Sequence, residues 1–204
     1  MGRLTEAREY YRKALKLKPD FYYAYWELAY VSALREDYGS ALEWVERFIE
    51  CAPSSGTRLE GMRWKAFYLL WTGRLEEARA LMGALGQEAK GDDRALWQVE
   101  SHRMLGWLHL AEDRPDRARA SFETCINMLD DEPAAFVPAA SSYSQASLEQ
   151  VPTVRAAHVL ALALADVAAG RTDAVWVGYD AVRHLIPEQA ALLHLPRTDV
   201  AHID

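Results

Sequence analysis

The chain has 204 residues, 50% of them hydrophobic and 26% charged, with a formal net charge of −7. That balance is globular rather than disordered, and the acidic surplus leaves no general basic surface with which to displace counterions from nucleic acid. Two cysteines, no basic–apolar–small leader and no apolar run of membrane-spanning length point to a soluble, cytoplasmic chain with reduced thiols and no membrane partner.

Taken from the amino end, the sequence rhymes with itself. "GRLTEA" (2–7) is followed by "EDYGSA" (36–41), "GRLEEA" (73–78), "DRPDRA" (113–118) and a shorter "GRTDA" (170–174). Aligned on their last alanines, Ala7, Ala41, Ala78 and Ala118, the first four copies step by 34, 37 and 40 residues. Four residues after each anchor stand Tyr11, Val45, Met82 and Phe122; seven after stand Ala14, Phe48, Leu85 and Cys125. Offsets of zero, four and seven share one helical face, so each anchor opens an amphipathic helix. Pro19 and Pro53, twelve residues after the first two anchors, stop those helices. Twelve before the last three anchors come Ala29, Ala66 and Gly106, small residues that let a preceding helix approach closely. Gly2, Glu36, Gly73 and Asp113, five before the anchors, occupy the turn between the two helices. The repeated unit is helix, tight turn, helix, break.

The spacing divides a single helical-repeat domain into a half repeat (2–19) and three hairpins (22–53, 59–90 and 95–130). A Pro- and Ser-rich loop follows at 131–152. Helices then resume as a divergent hairpin (153–186) around Gly170, and Pro187 opens a short capping helix (187–195). The leading helix has no first helix before it, so one of its flanks is open. Either the chain is part of a longer array or that flank meets another subunit as a homo-oligomer.

The stretches "YAYWELAYVSALREDYGSALEWVERFIECAP" (23–53) and "RMLGWLHLAEDRPDRARASFETCINML" (103–129) resemble the tetratricopeptide repeat, a 34-residue helical hairpin. The middle copy departs from the pattern, with Lys65 where Leu28 and Leu105 stand in its neighbours and no proline after Lys90. The resemblance covers residues 2–130, and it implies an all-α, right-handed superhelix whose concave groove is lined by the first helix of each hairpin. By that resemblance three columns face the groove: Tyr23, Glu60 and Glu100; Trp26, Arg63 and Arg103; Tyr30, Phe67 and Trp107.

From these columns Tyr23, Trp26, Tyr30, Arg63, Phe67, Arg103 and Trp107, together with Trp71, are the candidate partner-binding residues. An aromatic side chain buries about 150–250 Å², roughly 4–6 kcal/mol gross at 25 cal/mol per Å², and aromatics with Arg dominate interface hot spots. Two alternatives stay open here. The rings, including Trp44, Trp64 and Trp71, are equally suited to packing between helices, and Arg63 and Arg103 sit three residues after Glu60 and Glu100, in reach of an ion pair along their own helices. The family's co-chaperone subclass clamps a carboxylate with lysines and asparagines; here the lone asparagine, Asn127, lies on a second helix, which argues against that subclass. No metal, cofactor or nucleophile motif occurs, His102 and His109 stand two turns or about 10 Å apart, and Cys125 lies on a core column. The expected function is a non-enzymatic protein-interaction scaffold without cofactors. The alternatives are a sensor or assembly segment of a bacterial regulator, a secretion-type chaperone, or a self-assembly module.

Overall fold

The computed structural model describes residues 2–89, 94–131 and 151–171. Every described element is a helix: α1 (Gly2–Leu17), α2 (Tyr22–Ala33), α3 (Tyr38–Glu50), α4 (Ser55–Trp71), α5 (Leu75–Glu88), α6 (Arg94–Ala111), α7 (Pro115–Asp131) and α8 (Val151–Ala168). The apolar columns explain where these helices bury themselves. Ala41, Ala78 and Ala118 are fully buried, and so are Val45, Met82 and Phe122 one turn on, then Phe48, Leu85 and Cys125. One face of α3, α5 and α7 therefore meets the preceding helix of its own hairpin and the first helix of the next.

The turn positions are where local geometry is tightest. Glu36, Gly73, Asp113 and Gly170 all have left-handed backbones, with φ of 60°, 73°, 56° and 76°. In each case the next residue's N–H donates to the carbonyl five residues back: Asp37 to Ser32, Arg74 to Leu69, Arg114 to His109 and Arg171 to Asp166, at 2.8–3.0 Å. This is the helix-ending motif that reverses the chain after a glycine. It recurs four times, twice on a residue that bears a Cβ. The following helix is then started by Asp37, whose carboxylate accepts the Ser40 N–H at 3.1 Å, or by Pro115 at the first position of α7.

Consecutive helices pack against each other, and α4 also touches α6 while α6 touches α8. The first helices (α2, α4, α6, α8) thus form one layer and the second helices (α1, α3, α5, α7) the other. Small residues set the closeness: a Cβ added to Gly106 would stand 2.4 Å from the ring of Phe122, and one on Gly61 would stand 2.6 Å from Ile49. Lys65, the departure from the repeat pattern, reaches Glu46 of α3 at 2.7 Å. Gly2, expected as a turn residue, is the first residue of α1. Most of the expected 131–152 loop, the second helix of the divergent hairpin and the 187–195 capping helix lie outside the described residues.

Candidate functional site

Because four turns share one geometry, positions counted back from the turn residue are structurally equivalent. Six before it stand Tyr30, Phe67, Trp107 and Leu164; ten before it stand Trp26, Arg63, Arg103 and Leu160. Thirteen before the first three turns come Tyr23, Glu60 and Glu100. All lie on the layer of first helices.

The α2–α4 end of this face is a run of rings. Trp26 lies 5.4 Å from both Phe48 and Trp64; Trp64 lies 5.8 Å from Phe67, Phe67 stacks on Trp71 at 5.8 Å, and Trp71 meets Tyr38 at 5.8 Å. Trp64 is tied down by its indole N–H, which donates to Glu60 at 3.0 Å. The run surfaces at its turn end, where Tyr30 is 45% and Trp71 52% exposed, with Leu34 beside them. Tyr23 is half-buried, and a hydrogen bond to Glu27, with partial burial, pushes its phenol up to about 12.

In the middle of the face the two candidate arginines are already engaged. Arg63 pairs with Glu60 on its own helix and with Glu100 of α6 at 3.2 Å, and its guanidinium lies 5.4 Å from the Trp64 ring. Arg103 donates to Glu100 through Nε at 3.2 Å and lies 5.2 Å from the Phe67 ring. Burial would raise the Glu100 carboxyl, but Arg103 and Arg63 outweigh it and hold it below the usual carboxylate range. Burial likewise works against the Arg63 charge, while Glu60 and Glu100 raise its pKa. The same-helix pairing read from the sequence is present, together with the Arg63–Glu100 bridge between α4 and α6 that no spacing rule could show.

Trp107 is half-buried, edge-on to Phe122 at 5.4 Å and packed on the cluster of Ala118, Phe122, Ala161 and Ala165. It is the floor of the face rather than a projecting ring. The α8 end instead presents Leu160 and Leu164, the latter 52% exposed. Sequence reasoning overlooked these leucines and Leu34. For Leu160 and Leu164 the available signal was the Gly170 turn: counting back from the turn residue rather than from the alanine places them in register with the other columns.

Cys125 is buried, its thiol pushed up to about 12 chiefly by burial, and it donates to the Val99 carbonyl. Among the described residues no group of three or more His, Cys, Asp or Glu could hold a metal ion. None of the described helices is long and apolar enough to cross a membrane.

Stacked helical hairpins closed by identical turns define an α-helical repeat protein. Residues 1–56 match the family model for the tetratricopeptide repeat, a span that takes in α1, α2 and α3. The fold is also similar to that in the crystal structure of BtubC (BKLC) from P. vanneervenii, with a TM-score of 0.67 and 17% identity over 100% of this chain and 81% of that one. No curated protein matches the chain. The first 56 residues are thus similar to the tetratricopeptide repeat, a repeat that generally mediates protein–protein interaction.

Proposed function

We propose that this chain is a non-enzymatic scaffold that receives a peptide or helix of a protein partner along the face of α2, α4, α6 and α8. The observation that carries the reading is the apolar column Tyr30–Phe67–Trp107–Leu164, exposed at both ends, with Trp71 exposed beside it. Helices packed 8–10 Å apart make such a column about 25–30 Å long. That is the length of roughly eight residues of extended chain or about eighteen of helix. Tyr23, Trp26, Arg63 and Arg103 flank it. The arginines are neutralised by Glu60 and Glu100, so recognition here is mainly apolar and only weakly salt-dependent. A cytoplasmic setting is supported by two cysteines that are both free.

The test is a library of immobilised 20-residue peptides probed with the full chain and with a Tyr30→Ser, Trp71→Ser, Leu164→Ser triple variant. Peptides rich in aromatic or aliphatic residues should be retained in high salt by the parent chain and lost by the variant, with far-ultraviolet circular dichroism unchanged. Equal capture by both proteins would remove this face from the function. Trp107 is left intact because its removal would open the core against Phe122.

A further inference from the structure

The flank of α1 that faces away from α2 has a pattern of its own, separate from the proposed groove. In α3 the same register position is held by Trp44, which stacks on Tyr25 of the preceding helix with ring centres 6.1 Å apart. Its counterpart in α1, 34 residues earlier, is Tyr10, which is 70% exposed and, among the described residues, has only Lys13 over its ring, 5.7 Å from the centre. One heptad further on, Leu17 is 89% exposed. Ala7, Tyr11 and Ala14 are half-buried, whereas the equivalent residues of α3, α5 and α7 are fully buried.

The residues around Tyr10 repeat every seven: Arg3, Tyr10 and Leu17 along the centre, Ala7 and Ala14 on one side, Glu6 and Lys13 on the other. Neither Glu6 nor Lys13 forms an ion pair among the described residues. Two copies of this stripe are complementary in one orientation. A parallel pair would set Glu6 against Glu6 and Lys13 against Lys13. An antiparallel pair centred on Tyr10 sets Glu6 of each copy beside Lys13 of the other, Ala7 beside Ala14, and Leu17 against the aliphatic stem of Arg3, because flanking positions on one side of an antiparallel helix pair meet each other. The alanine side lets the two backbones approach closely, and the two tyrosine rings meet at the axis.

We infer that two copies of this chain associate through α1 as an antiparallel, two-fold symmetric helix pair. A helix of 16 residues is about 24 Å long, so the contact lies at the small end of specific interfaces and the dimer is a weak, concentration-dependent one.

Sedimentation equilibrium of the full chain over a wide concentration range tests this directly. The parent chain should pass from monomer to dimer, and Tyr10→Glu should remain monomeric with unchanged circular dichroism. Glu6→Lys should weaken the dimer by roughly ten-fold, since it reverses two symmetric pairs, and Glu6→Lys combined with Lys13→Glu should restore it to within about three-fold. A parent chain that stays monomeric to about 1 mM overturns the inference, placing the contact beyond any specific interface. So does association untouched by Tyr10→Glu, and a Glu6→Lys dimer as strong as the parent rules out the antiparallel register. The groove triple variant should dimerise normally, so failure of the groove reading leaves this result standing, and the reverse also holds.

Discussion

Two joints between hairpins in this molecule are held by different physics. Where α2 and α3 meet α4, the contact is made of rings: Trp26 against Trp64 and Phe48, with Trp64 continuing to Phe67 and Tyr68. Where α7 meets α8, part of the contact is a buried charge. Asp166 is almost wholly buried, accepts from Arg119 at 2.6 Å and Arg171 at 2.9 Å, and Arg171 reaches on to Asp116 of α7 at 2.7 Å. Burial alone would raise the Asp166 carboxyl, yet the hydrogen bonds from the two arginines hold it below the usual range. A joint made mostly of ring packing depends little on pH and tolerates partial truncation. A buried carboxylate between two arginines is neither.

The largest effect expected from breaking this contrast is at Asp166. Asp166→Ala removes the buried anion that Arg119 and Arg171 share, leaving them only the exposed Glu123 and Asp116, and should cost about 3 kcal/mol in urea unfolding; a loss under about 1 kcal/mol would show the pair to be ornamental. The pH dependence follows from the lowered folded pKa. The Asp166 contribution is fully present above the unfolded carboxylate value near 4 and disappears as pH falls through the lower folded value. Hydrogen-exchange protection, taken relative to the intrinsic rate at each pH, should therefore fall in α8 before α2 as pH is brought from 5 towards 3, and simultaneous opening would contradict it.

At the ring joint, Trp64→Ala removes a half-buried hub and should cost about 2 kcal/mol, somewhat less than for a fully buried ring. That loss should vary less between pH 7 and pH 4 than the loss at Asp166, because ring packing makes most of it and only the hydrogen bond to Glu60 involves a carboxylate. The smallest effect is a gain. Glu36 and Asp113 hold left-handed backbones that Gly73 and Gly170 hold without strain, so Glu36→Gly and Asp113→Gly should each stabilise by about 1 kcal/mol. A shift in the opposite direction would mean that side-chain contacts of these residues outweigh the backbone term. For Asp113 the neighbouring cluster of Glu112 with Arg79 and Arg114 makes this the more informative of the two.

Much of the architecture was legible before any coordinates. The alanine anchors and the positions four and seven beyond them predict a buried face, and those residues are the ones sealed in α3, α5 and α7. Local rules suffice there, because a period of 3.6 residues maps directly onto one side of a helix. The site was less legible. Trp64, Phe67 and Trp71 lie within eight positions on one helix, and nothing in their spacing says that Trp71 emerges while Trp64 is pinned by Glu60. The Arg63–Glu100 bridge joins residues 37 apart. Asp166, which in the sequence only interrupts an apolar run, becomes intelligible once Arg119 of α7 is seen beside it.

By itself the sequence determined that helices form, where they turn and which face of each is buried, since these depend on residue type and separations of three, four and seven. The tertiary structure alone decided which rings and leucines reach the surface and which charges neutralise each other. Exposure and ion pairing are set by helices far apart in the chain, and their distances exist only once the hairpins have stacked.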